Sequence, residues 1–149
     1  MCYNKNMKKI ITLLLILLVG LSVNAKTKKV SGLSDDQLVS MNKSVDYITR
    51  KMYSGAFLSP SDTSALIGIK IKLDDNMLLS PDTRYAPLYY KLGKIYQRRA
   101  KKQEAIECYQ AILENFPDTA LAPKAAFALK QMGVNVVMPK RNSDSSDDE

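Results

Sequence analysis

The segment Pro81-Asp82-Thr83-Arg84-Tyr85-Ala86-Pro87 returns as Pro117-Asp118-Thr119-Ala120-Leu121-Ala122-Pro123, with five of seven positions identical and an offset of 36 residues. A fixed period of this size marks a chain built from stacked copies of one supersecondary unit. Two antiparallel helices with two short turns occupy about that many residues. The first proline of each copy blocks the helix before it, and the second suits the first turn of the helix after it. The repeat predicts an all-α chain of about five helices, arranged as a short stack of antiparallel hairpins.

Between the two copies lies the most specific motif. Tyr89-x-x-Leu92-Gly93-x-x-Tyr96 is followed by Ala105-x-x-x-Tyr109 and then by Pro117. Tyr89, Leu92 and Tyr96 share one helix face, and Tyr109 meets them from the partner helix. Gly93 and Ala105 are small where two helices must approach closely. This pattern resembles the tetratricopeptide repeat over residues 86–119. Tyr89 replaces the usual tryptophan-like residue, and Ile112 stands where that family has a small one. The segment from Leu121 to Met132 is similar to the first helix of a further repeat. Residues 34–80 have room for a divergent repeat but lack the Leu-Gly pair. The Pro-Asp-Thr-x-x-Ala-Pro turns, taken with the N-terminus, also resemble exported bacterial envelope members of the family, such as outer-membrane assembly lipoproteins and cell-division coordinators.

The remaining elements follow from caps and periodicity. Ser34 with Gln37 forms a capping box, and Asp35 and Asp36 suit the positive helix end. Leu38, Met41, Val45, Ile48 and Met52 then recur at steps of three and four, and Ser54-Gly55 closes that helix. Pro60 opens another after Ser59. Residues 62–79 are ambiguous. Ile67, Ile69, Ile71 and Leu73 alternate with Gly68, Lys70 and Lys72 as in a strand, while Ala65, Leu66, Ile69, Leu73 and Met77 fit a helix face. A lone strand would have no partner here, so a helix is expected. Further helices are predicted over Ala86 to about Arg99, Lys102 to about Asn115, and Leu121 to Met132, ended by Gly133.

The N-terminus reads as an address. Lys8-Lys9 precede the apolar run Ile10–Val19, which is too short for a comfortable membrane span of about 20 residues. With Val23-Asn24-Ala25 as a cleavage site, residues 1–25 fit a secretory signal peptide, and Met7 is a more ordinary start than Met1. The expected organisation is a signal peptide (1–25), a basic linker (26–33), a helical domain (34–138) and a disordered acidic tail (139–149). Loss of Lys5, Lys8 and Lys9 with the signal takes the formal net charge from +7 to +4. The expected location is exported, periplasmic or extracellular. The alternative is an uncleaved signal that anchors the chain as a structural or accessory envelope protein.

Composition narrows the function. The chain has no histidine, which removes the commonest general base and metal ligand together. Of its two cysteines, Cys2 lies in the expected signal, and Cys108 reads as a buried structural thiol. No phosphate loop, metal-ligand cluster or nucleophile elbow is present, so no cofactor and no enzymatic activity are expected. Glu104 and Glu107 show no evident acid–base partner. The resemblance implies instead a protein or peptide held in a concave groove lined by the first helices. It places Tyr90, Lys94, Gln97, Arg98 and Lys130 on that groove, where Lys94, Arg98 and Lys130 would receive acidic groups. The asparagine of the family's carboxylate clamp is missing from the matching positions, and a solvated helix face is the simpler reading of the charges. Arg98-Arg99 and Lys101-Lys102 cluster at the hairpin turn, where positive charge ordinarily complements a helix C-terminus; peripheral membrane association with anionic lipid headgroups is the alternative, although no basic amphipathic helix with a bulky apolar face stands out. Nucleic acid is not expected as a partner of an exported chain. Val134–Met138 is expected to cap the last helix, with a contact surface as the alternative. Partner identity and oligomeric state stay open.

Overall fold

The computed structural model describes residues 32–136. The expected signal peptide, nearly all of the basic linker, Val137-Met138 and the acidic tail lie outside the described residues. Among the described residues there are five α-helices and no strand. They are α1 (Asp35–Tyr53), α2 (Pro60–Leu79), α3 (Ala86–Arg98), α4 (Lys102–Asn115) and α5 (Ala122–Gln131), with a 3-10 turn at Thr83–Tyr85 before α3. Short connections make them run alternately up and down. α1 pairs with α2, α3 with α4, and α5 packs on α4; α1 also packs on α3. The fold is an all-α stack of hairpins.

Helix starts and stops are encoded locally. At α1, Ser34 and Gln37 exchange hydrogen bonds in the expected capping box. At α2, Ser59 and Asp62 form a second one, with Pro60 in the first turn. Three helices end in the same reciprocal cap, in which a left-handed residue lets its own N–H and that of the next residue return to the last turn. Gly55 (φ +78°) does this after α1 and Gly133 (φ +78°) after α5. After α3 the position is Ala100, at φ 56°. Its N–H donates to the Gln97 carbonyl, and that of Lys101 donates to the Tyr96 carbonyl.

The repeated turn is conformationally repeated as well. The Ala86 N–H donates to the Thr83 carbonyl, and 36 residues on the Ala122 N–H donates to that of Thr119. Both alanines are fully buried. The first turn carries more: Tyr85 is fully buried, and its hydroxyl accepts from the Leu33 N–H 3.1 Å away. That bond ties the start of α1 to the start of α3.

Residues 62–79 are helical. Leu66, Ile69, Leu73 and Met77 are buried, whereas Ile67 and Ile71 are 50% and 54% exposed. The strand-like alternation arose because α2 carries a second apolar stripe facing solvent. At the other end, Val134 and Val136 pack on the core beside Leu113 and Leu129. The described part of the expected cap thus occupies the side where a second helix of a third hairpin would sit. Ile112 is fully buried, and α5 meets α4 with the small residues Ala122, Ala125, Ala126 and Ala128, all buried.

A left-handed conformation costs an L-residue about 1–2 kcal/mol, partly offset in glycine by greater unfolded-state freedom. Ala100→Gly is therefore expected to stabilise the fold by about 0.5–1 kcal/mol. Urea unfolding should show a higher midpoint at unchanged slope; a lower midpoint would mean that Ala100 is not left-handed in solution.

Candidate binding surface

The first helices α1, α3 and α5 run in one direction, and three contacts fix α1 against α3 along their length. Asp35 at the start of α1 pairs with Arg84 just before α3. In the middle, the Lys91 ammonium lies 2.7 Å from Asp46 and 3.1 Å from the Asn42 side-chain oxygen. At the far end the Arg98 guanidinium stacks over the Tyr53 ring, 4.5 Å from its centroid. α3 and α5 share α4 as a neighbour. The exposed faces of the three first helices, α1, α3 and α5, make up the candidate surface.

The expected site residues divide into two groups. Lys94 and Lys130 are exposed on α3 and α5, and neither makes an ion pair among the described residues. Arg98 is exposed apart from its stacking on Tyr53. Tyr90 and Gln97 are half-buried and belong partly to the hairpin itself. The Tyr90 ring packs at 5.8 Å on that of Tyr109, and the Tyr109 hydroxyl donates to Gln97 at 3.1 Å. These two form the floor of the surface, and the cations stand above it.

Sequence reasoning passed over Lys91, Tyr53 and Phe127. Lys91 precedes Lys94 by three residues, so helical spacing alone could have placed it on the same side. Phe127 precedes Lys130 by the same step and is 64% exposed. Tyr53 could not be found this way, because its role depends on α1 lying beside α3.

A second polar group ties the hairpins together away from this surface. Lys70 of α2 lies 2.8 Å from Asp74 and 3.1 Å from Glu107 of α4. Asp74 also accepts from the Tyr89 hydroxyl of α3 at 2.8 Å. Glu107 is thus held in an ion pair between hairpins. Burial works against the Lys70 charge, but the hydrogen bonds to Asp74 and Glu107 outweigh it and raise its pKa. Burial, then the bond to Asp74, also pushes the Tyr89 hydroxyl up. Cys108 is fully buried, and burial raises its thiol to about 12. It is neutral at physiological pH and poorly nucleophilic. Among the described residues no group of acidic, cysteine or histidine side chains could hold a metal ion.

Residues 88–119 match the family model for the tetratricopeptide repeat. No curated protein and no solved structure matches the chain. The matched stretch spans α3 from Leu88, α4 and the turn to α5, which is the hairpin that carries Tyr90, Lys94, Gln97 and Arg98.

Within the first hairpin, Asp62 offers a pH handle. The Lys51 ammonium 2.7 Å away, then the Ser59 N–H and hydroxyl, hold its carboxyl down at about 2. The ordinary value of about 4 applies in the unfolded chain. The stabilisation is therefore complete above about pH 4 and is lost as pH falls through that value toward 2. Asp62→Asn is expected to lower the melting temperature at neutral pH and to flatten its fall between about pH 4 and 2. Parallel melting curves for both chains across that window would show that the capping carboxylate is not coupled to folding.

Proposed function

We propose that this chain is a non-catalytic binding module of the bacterial cell envelope that holds a partner protein or peptide on the surface lined by α1, α3 and α5. Tetratricopeptide repeats generally mediate protein–protein interactions, and residues 88–119 match one. The observation that carries the reading is the exposure of Lys94 and Lys130 on two first helices whose buried faces pack into the core. Arg98, the Tyr53 ring and Phe127 extend this surface with one more cation and two apolar contacts. An acidic segment with an apolar residue beside its carboxylates suits such a face. Charge would steer the encounter, and the aromatic contacts would hold the complex.

The test is a crosslinking capture from envelope extract of the source organism, comparing the native chain with one carrying Lys94→Glu and Lys130→Glu. The expected result is a partner whose binding falls at least about tenfold in the variant, equivalent to about 1.4 kcal/mol. A partner captured equally by both chains would move binding off this surface.

Export is part of the proposal and rests on Lys8-Lys9, the apolar run Ile10–Val19 and the small residue Ala25. N-terminal sequencing of the protein from its native source should begin near Lys26. A start at Met1 or Met7 would instead favour a retained N-terminal segment.

A further inference from the structure

The basic character of the proposed surface is concentrated toward one edge. α1, α3 and α5 all finish on that edge, and their last turns carry Arg50 and Lys51, Arg98, and Lys130. Lys101 and Lys102 at the α3–α4 turn are exposed beside them. Lys51 is taken by Asp62, while Lys94 and Lys130 make no ion pair among the described residues. The chain itself leaves α5 at this edge. The Val134 N–H returns to the Leu129 carbonyl, and Val134 and Val136 lie back over Leu113 and Leu129.

Seven residues further on begins Ser143-Asp144-Ser145-Ser146-Asp147-Asp148-Glu149, with four carboxylates and no cation. Eight residues from Val136 to Asp144 span up to about 26–29 Å when extended. A helix with its side chains is about 10–12 Å across. The acidic segment can therefore pass over α5 to Lys130 and continue to Lys94 on α3.

We propose that residues 143–149 are an intramolecular ligand of the α1/α3/α5 surface, bound through Lys94 and Lys130, so that an external acidic partner must displace them. The inference rests on the reading of that surface as the binding face. Charge complementarity selects the occupant: the segment is the densest run of negative charge in the chain, and the surface displays cations without internal partners. Tethering supplies an effective concentration on the order of millimolar, so even a weak contact is substantially populated. Because the pairs are exposed, the contact weakens as salt shortens the screening length.

The test uses the full chain and a full-length variant with Asp144→Asn, Asp147→Asn, Asp148→Asn and Glu149→Gln. The probe is a fluorescent peptide with the sequence of residues 143–149, titrated at low ionic strength. The neutralised-tail chain is expected to bind the peptide about tenfold more tightly than the native chain, the ratio that millimolar tethering produces when the free peptide binds with a Kd of about 0.1 mM. Adding Lys94→Glu and Lys130→Glu to the neutralised chain should abolish binding. Equal affinity for native and neutralised chains would overturn self-docking and leave the binding surface standing. No binding by either chain would overturn self-docking and the acidic-partner reading together. As a direct readout, carbodiimide treatment of the native monomer should join a tail carboxylate to Lys94 or Lys130; links confined to other lysines would also overturn the proposal.

Discussion

The stack depends on one close approach, that of α4 to α3 at Gly93. A Cβ added there would lie 2.7 Å from the Tyr109 ring, and two more ring atoms would follow within 3.1 Å. No real side chain tolerates such contacts without moving the ring, so only glycine lets Tyr109 lie flat against the α3 backbone. The ring in turn organises its neighbours. Tyr90 packs on one part of it, and Gln97 accepts its hydroxyl proton. With the rotation of α3 about its axis fixed in this way, Lys94 and Arg98 are directed outward and Leu92 inward. Burial of Tyr89, Leu92, Tyr96, Ala105 and Cys108 follows from the same approach.

The helices of the first hairpin have no comparable glycine contact between them; Gly68 on α2 faces open space, and the tight glycine before α1, Gly32, meets the Tyr85 hydroxyl instead. It is joined to the second hairpin by an apolar core and by polar ties of unequal worth. Arg84–Asp35 is an exposed pair and contributes little, since solvent and side-chain entropy offset its attraction. The Tyr85 hydroxyl and the Lys70–Asp74–Tyr89 group are better shielded, and loss of one partner there would strand a half-buried polar group. Such contacts set the register of one hairpin on the other more than they add stability. Their effect on function is indirect but definite. They hold α1 beside α3, so that Tyr53 meets Arg98 and Asp46 meets Lys91.

That placement also defines what the proposed surface has to offer. Lys91 is neutralised by α1 and does not add to the field seen by a partner. The Tyr53 ring covers a face of the Arg98 guanidinium, which leaves the N–H edge in its plane for a carboxylate. Lys94 and Lys130 carry the remaining charge. The exposed stripe of Ile67 and Ile71 lies on α2, a second helix, and is separate from this surface.

Much of the fold was legible in the sequence. The 36-residue offset, the Ser34 and Ser59 starts and the Gly55 and Gly133 stops are local signals, because turns and caps are decided by a few adjacent residues. The helix phase of α3 was legible because tyrosine, leucine and glycine recur at fixed steps. Alternating isoleucines in α2 imitated a strand, since an exposed apolar stripe beside a buried one destroys the contrast that periodicity relies on, and the helix was expected there because a lone strand would have no partner. The pairing of Glu107 with Lys70, of Lys91 with Asp46 and of Arg98 with Tyr53 was hidden. These residues lie between 37 and 45 positions apart, and no local rule relates them. The sequence by itself determined which segments are helices, where they end and which residues are small enough to let them touch. The tertiary structure alone decided which charges are spent between neighbouring helices and which remain for a partner, because that depends on side chains meeting across hairpins.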